Sequence, residues 1–150
     1  MPDNTDLAIL KLLHHDAKMT IKELSQQLNL SQTPVYERIK KLETEGYLKS
    51  YTAVLDTKKL GFTLVAYCNI SLITHQRALL EKFESDIQQI TEVIECYHIA
   101  GMYDYLLKVV VRDMDEYQLF LTRKLASLEN IAKVQSSFVM TEVKADSPFF

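Results

Sequence analysis

The sequence predicts an α+β chain in two parts, a three-helix unit followed by a βαββαβ unit. Three observations carry this. Apolar residues recur at helical spacing through residues 4–46. Hydrophobicity alternates at strand spacing after residue 62. Two further helical stripes fall between strand-like runs where a βαββαβ order requires them. With 150 residues and 47% hydrophobic content, the chain can build two small cores. Each would be marginal alone, which favours assembly with other copies.

In the first part, Leu7, Ile9, Leu10 and Leu13 give a helix over residues 4–14 with a broad apolar face. Thr20-Ile21-Lys22-Glu23 is a capping box: a Thr that accepts from the amide three residues on and a Glu that reaches back. It opens a second helix that buries Ile21, Leu24 and Leu28. Asn29-Leu30 turns the chain. Ser31 caps a third helix, with Pro34 in its first turn, where a missing amide hydrogen is harmless. Val35, Ile39 and Leu42 follow at i, i+4, i+7, and Gly46 ends the helix in a left-handed conformation. Tyr47 to Leu55, with Tyr51, Thr52 and Val54, fits a small wing hairpin. Two helices joined by a tight turn and braced by a third match a winged helix-turn-helix. The third helix then exposes Ser31, Gln32, Thr33, Tyr36, Glu37 and Lys40, with Arg38 and Lys41 towards its flanks. These are hydrogen-bonding and phosphate-binding types, as a groove-reading helix needs, although any solvated helix face carries similar residues. Arg38→Ala is expected to weaken DNA binding by roughly 1–3 kcal/mol with folding nearly unchanged.

Residues 56–62, ending near Gly61, form a polar hinge. From Thr63 to Leu72, Leu64, Ala66, Cys68, Ile70 and Leu72 fall on one side and Thr63, Val65, Tyr67, Asn69 and Ser71 on the other. Gln76 to Ile90 is helical, with Leu79, Phe83, Ile87 and Ile90 in one stripe. Glu92 to Ala100 and Tyr105 to Arg112 are β-rich and flank the turn Gly101-Met102-Tyr103-Asp104, so they form a hairpin. Met114 to Ser127 is helical, with Tyr117, Leu121, Leu125 and Leu128 in register, and Ile131 to Val143 supplies a last strand. The order is that of a ferredoxin-like fold, an antiparallel sheet with both helices on one face. The other face, expected to carry Val65, Tyr67, Tyr97, Val109 and Phe138, would be covered by the same face of a second copy. The domains are therefore expected at 1–55, a DNA-binding unit, and 63–150, a ligand-sensing and oligomerisation unit, with residues 63–143 dimerising without the first half.

Composition removes several classes of function. Three glycines, Gly46, Gly61 and Gly101, are too scattered to cradle phosphates. Cys68 and Cys96 have no CxxC spacing and are expected as buried thiols. No apolar run approaches a membrane span, and Met-Pro-Asp-Asn-Thr-Asp is no secretory signal, so a soluble cytoplasmic protein is expected. His14, His15, His75 and His98 form no metal-spaced cluster, and neither a cofactor nor a metal is expected. Net charge is −3 overall. Residues 1–55 are neutral, with seven basic groups against seven acidic ones. Modest phosphate affinity per copy then makes several copies bound together the expected DNA-binding form.

The chain resembles the Lrp/AsnC (leucine-responsive, feast/famine) regulators over nearly its full length. The resemblance rests on Leu30-Ser31-Gln32-Thr33-Pro34-Val35-Tyr36-Glu37-Arg38-Ile39-Lys40-Lys41-Leu42-Glu43, Gly46-Tyr47-Leu48 and Tyr51-Thr52-Ala53. In the second half it rests on Glu95-Cys96, Gly101-Met102-Tyr103-Asp104-Tyr105-Leu106-Leu107-Lys108, Asp113-Met114 and Tyr117. It implies a third helix in the major groove of double-stranded DNA, dimers formed by the βαββαβ domains, and further assembly, commonly to an octamer. It implies a small-molecule effector, an amino acid or related metabolite, at Gly101, Tyr103 and Asp104 and at the start of the last strand, Val134 and Ser136. Relatives often carry Thr at both strand positions, and Val134 offers no hydroxyl. Two other functions remain open at this stage. One is an architectural DNA binder without an effector, separable by a thermal-shift screen of amino acids. The other is a tetrapyrrole decarboxylase of the same architecture, separable by a tetrapyrrole soak followed by absorbance.

Overall fold

The computed structural model describes residues 1–144. The chain divides into two compact units, residues 1–55 and 56–143. Of the expected second domain, residues 145–150 lie outside the described residues.

The first unit is three helices: α1 (Asn4–His15), α2 (Ile21–Leu28) and α3 (Gln32–Thr44). Both predicted boundaries of α2 have their causes in place. The Thr20 amide donates to Glu23 at 2.7 Å while the Glu23 amide donates to the Thr20 hydroxyl at 3.2 Å. Asn29 closes the helix at φ 53°, a left-handed position Asn tolerates. Asp3 and Asp6 make a second capping box at α1. Ser31 stands at the N-cap of α3 without a side-chain capping bond. Gly46, at φ 76°, lets the chain leave α3 with the Leu48 amide donating back to the Leu42 carbonyl at 3.1 Å. Ile9, Leu13, Leu24, Val35, Ile39 and Leu42 form the core, whereas Leu7 is 41% exposed. The expected wing hairpin is not formed: residues 47–55 contain no strand. Nine residues with no tight-turn pair cannot close a self-sufficient two-stranded ribbon, which is marginal even when well matched.

The second unit runs β1 (Leu64–Leu72), α4 (Arg77–Ile87), β2 (Val93–His98), β3 (Tyr105–Val111), α5 (Met114–Leu119) and β4 (Ile131–Phe138). The sheet is antiparallel with order β2-β3-β1-β4. Its covered face carries Ala66, Cys68, Ile70, Leu72, Tyr105, Leu107, Val109 and Val111, packed with Phe83 and Ile87 of α4 and Tyr117 of α5. The expected long last helix is shorter. After α5 comes a π turn, Phe120–Lys124, and a 3-10 turn, Leu125–Ser127. The wider π turn changes the spacing, so Tyr117, Phe120 and Leu125 are the buried set.

Strand register corrects the expected open face. Val109 and Phe138 both sit opposite Ala66, on the helix-covered side. Val109 is fully buried there, and Phe138 meets the Tyr117 ring edge-on at 4.9 Å. A one-residue change of register exchanges the faces of a strand, and sequence alternation alone did not fix it for β3 and β4. The open face carries Val65, Tyr67 and Asn69 of β1, Leu106, Lys108 and Val110 of β3, and Tyr97 of β2. Its charge is internally matched: Lys108 lies 3.3 Å from Glu95, which also accepts from Tyr97 at 2.9 Å.

Candidate nucleic-acid interface and effector site

On α3, Val35, Ile39 and Leu42 are buried. Thr33, Glu37 and Lys40 repeat the same i, i+4, i+7 pattern two residues earlier, about 200° around the helix. They are all exposed, as are Ser31, Gln32, Tyr36 and Lys41. Among the described residues, the side chains of Ser31, Gln32, Thr33 and Glu37 make no hydrogen bond. They are available to an outside partner.

The cations of α3 are otherwise placed. Arg38 points back at α1, where its Nη1 donates to Asp3 and to Asp6 at 2.6 Å each. Asp6 is nearly fully buried, and the same guanidinium bridges it to the exposed Asp3. The Asp6 amide, with Arg38 next in weight, holds the Asp3 carboxyl below its ordinary range. Lys40 Nζ donates to Glu43 at 2.9 Å and lies 6.0 Å from the centre of the Tyr36 ring. Glu43 accepts a second bond, from the Tyr51 hydroxyl at 3.0 Å. Lys40 first and Tyr51 second keep the Glu43 carboxyl low. This bond fastens the segment expected as a wing strand onto α3.

In the second unit the sheet gathers the other candidates at one end. Ile70 pairs with Tyr105 on one side and Val134 on the other, so the Gly101–Asp104 turn and the start of β4 lie beside the same strand. Gly101 has φ 152°, a backbone conformation that side chains rarely adopt, and its neighbourhood is open. Asp104 is anchored: its carboxylate accepts from the Leu72 amide at 2.7 Å and meets His75 Nε2 at 2.7 Å. The Leu72 amide, then His75, hold its pKa below the usual carboxylate range. The Tyr103 hydroxyl donates to the side-chain carbonyl of Gln135. Ser136 faces the core, accepting from Tyr117 at 2.5 Å beside Cys68. Val134 packs against the same core. His75 and Gln135 join the turn although nothing in the linear sequence pairs them with it. Only the β1–β3 and β1–β4 registers bring them there. Among the described residues, no three His, Cys, Asp or Glu side chains are grouped to hold a metal. No helix of the described residues is long and apolar enough to cross a membrane.

Comparison with known proteins gives these sites a setting. A model of the winged helix-turn-helix DNA-binding domain matches residues 2–49, and one of the Lrp/AsnC ligand binding domain matches residues 65–149. The chain belongs to the Lrp/AsnC family of transcription regulators. Among curated Lrp/AsnC relatives, the proline dehydrogenase transcriptional activator of Rhizobium radiobacter is 39% identical over 142 residues, covering 95% of this chain and 91% of its own. The Bkd operon transcriptional regulator of Pseudomonas aeruginosa is 35% identical over 141 residues, covering 94% and 92%. Among solved structures, the L-Met complex of a transcriptional regulator from Neisseria meningitidis superposes with TM-score 0.94 at 31% identity, covering 99% of this chain and 96% of that one. The chain is thus a DNA-binding transcription regulator with an Lrp/AsnC ligand binding domain, and it has the α+β fold expected of it. The winged-domain match ends at residue 49, within the segment 47–55 that lacks the expected strands.

Proposed function

We propose that α3 enters the major groove of double-stranded DNA, and that a neutral aliphatic or sulfur-containing amino acid binding beside the Gly101–Asp104 turn changes assembly or DNA affinity. The observation that carries the DNA half is the outward stripe of Thr33, Glu37 and Lys40 opposite the buried stripe of α3. Thr33 and Glu37 can exchange hydrogen bonds with base edges, and Gln32, Ser31 and Lys41 flank them towards the phosphates. Arg38 supports the helix from behind.

The effector half is supported by the L-Met complex of the Neisseria meningitidis regulator. Gly101 lets a ligand approach the backbone, Tyr103 and Asp104 supply polar groups, and Val134 lends the site apolar character. Asp104 would share its carboxylate between His75 and the ligand's α-ammonium, a charge-assisted contact. Copies pair through the open sheet face, and dimers associate further, to an octamer or another assembly of dimers. A ligand at the turn that bridges subunits shifts the assembly by its differential affinity for the two states.

One observation favours the effector-free alternative: the Asp104 carboxylate is already satisfied within its own chain. Calorimetric titration of L-methionine and L-leucine into wild type and Asp104→Ala separates the two. Binding to wild type that Asp104→Ala loses, with basal DNA binding kept, supports the sensor. Equal binding clears Asp104 of the role, and no binding of any amino acid to wild type leaves the architectural DNA binder.

A further inference from the structure

Between α4 and the edge strand β2 the second unit holds an open cavity of about 440 Å³, within the roughly 300–1,000 Å³ of small-molecule sites. Ile87, Val93 and Ile94 give it an apolar side, and Glu84, Cys96 and His98 a polar one. Ile94 is 52% exposed, a large apolar side chain left open to water on the cavity wall. At one end the His98 and Tyr105 rings stack at 4.6 Å, and Phe83 meets the Tyr105 ring at 4.7 Å. Asp104, next to Tyr105 in the chain, turns instead towards β1, where it meets the Leu72 amide, and does not line this cavity.

Glu84 carries the unbalanced charge of this cavity. The Tyr105 hydroxyl donates to its Oε1 at 2.7 Å. Among the described residues its other oxygen has no donor and the carboxylate has no cation. The lysines of the surrounding elements are committed elsewhere: Lys82 of α4 to Asp86, Lys108 of β3 to Glu95 and Lys124 to Glu92. Burial, then Glu84, pushes the Tyr105 hydroxyl far above its ordinary range, so Tyr105 stays a neutral donor and cannot balance the charge. A half-buried carboxylate in this state gains a charge-assisted bond from an ammonium that reaches it. A ligand carboxylate finds no such counterpart: no Lys or Arg lines the cavity, and Glu84 repels it.

We propose that this cavity binds a small primary amine without a carboxylate, its ammonium on Glu84 and its hydrocarbon body against Ile87, Val93 and Ile94. The amine covers the exposed Ile94 and excludes water from the new ion pair, which strengthens it. It also holds α4 to the edge strand β2, at a place separate from the turn proposed for the amino-acid effector. The site therefore depends neither on α3 reading DNA nor on Asp104 binding an effector.

The test uses Cys96, a half-buried thiol on the cavity wall, with the fully buried Cys68 as its internal reference. Burial, then Glu84, pushes the Cys96 thiol up, so labelling is run in alkaline buffer. The full-length protein is alkylated with iodoacetamide in the presence of 3-methylbutylamine or of equimolar sodium chloride, and both cysteines are followed by mass spectrometry. A ligand this small should bind with a Kd of about 5 mM, so that about 10 mM slows Cys96 labelling about threefold. Glu84→Gln keeps an acceptor for Tyr105 and removes the charge; it should weaken binding about tenfold and restore nearly the full rate. Should Glu84→Gln lose its fold, which labelling of Cys68 would reveal, Ile94→Lys takes its place: it supplies a cation from an exposed edge position and should abolish the protection in the same way. L-Leucine, the same body with a carboxylate, and 3-methylbutanol, the same body without charge, should each protect less than the amine. Equal protection by either overturns the proposal, as does an amine that fails to slow labelling of wild type, or protection by the amine that persists in the folded variant.

Discussion

Truncating Arg38 to alanine tests whether this residue reads DNA or holds the reading helix in place. Its Nη1 donates at 2.6 Å to both Asp3 and Asp6, whose side chains are 54% and 2% exposed. Without the guanidinium, the buried Asp6 carboxylate keeps only the Asp3 amide, at 3.1 Å. A hydrogen bond to a charged group contributes about 1.5–3 kcal/mol. Stranding a fully buried charge would cost about 3–5 kcal/mol. Arg38 is a third exposed, so water can enter the gap and the lower range applies. The solvent-open contact with Asp3 adds nothing countable. Arg38→Ala should therefore destabilise the first unit by about 2 kcal/mol, lowering its melting temperature by roughly 10 °C for a domain of this size. Adding Asp6→Asn should recover part of the loss, because the stranded group is then neutral. Scanning calorimetry and a gel-shift titration at fixed salt, on the same preparations, provide the assay. A stability unchanged to within about 0.5 kcal/mol, together with lost DNA binding, would refute this reasoning and make Arg38 a DNA contact as the sequence suggested.

Two further outcomes follow from the second unit. The carboxyl of Asp104 is depressed in the folded state by the Leu72 amide and His75, so its stabilisation is complete above the ordinary value of 3.8 and is lost as pH falls through the lower folded value. Melting curves should show wild type losing stability across that acid window more steeply than Asp104→Asn, and parallel curves would clear Asp104. Leu106 lies on the open sheet face between Asn69 and Tyr97; Leu106→Glu in the full chain should reduce the assembly seen by light scattering to monomers, and an unchanged dimer would rule out sheet-to-sheet pairing.

Much of the local structure was legible because its causes are local. The Thr20-Glu23 box, Asn29 in its left-handed turn and the buried triplet Val35, Ile39 and Leu42 involve residues at most seven apart. The alternation of β1 was also visible, since both of its neighbours respect it. The equivalent box of Asp3 and Asp6 had the same kind of local signal and could have been found by the same search.

By itself, the sequence determined the element order, the outward stripe of α3 and the glycine turn at Gly101, because helix period, capping and backbone sterics act over a few residues. Only the tertiary structure decided which side Val109 and Phe138 face, since facing depends on pairing with a strand tens of residues away. It alone turned Arg38 onto Asp3 and Asp6, 35 and 32 residues distant. It alone joined Asp104 to His75 and turned Ser136 towards Tyr117. A charged or hydroxyl side chain is equally at home in water, on DNA or on a neighbour. Residue type leaves those options close in free energy, and the partner that folding brings within hydrogen-bonding distance selects among them.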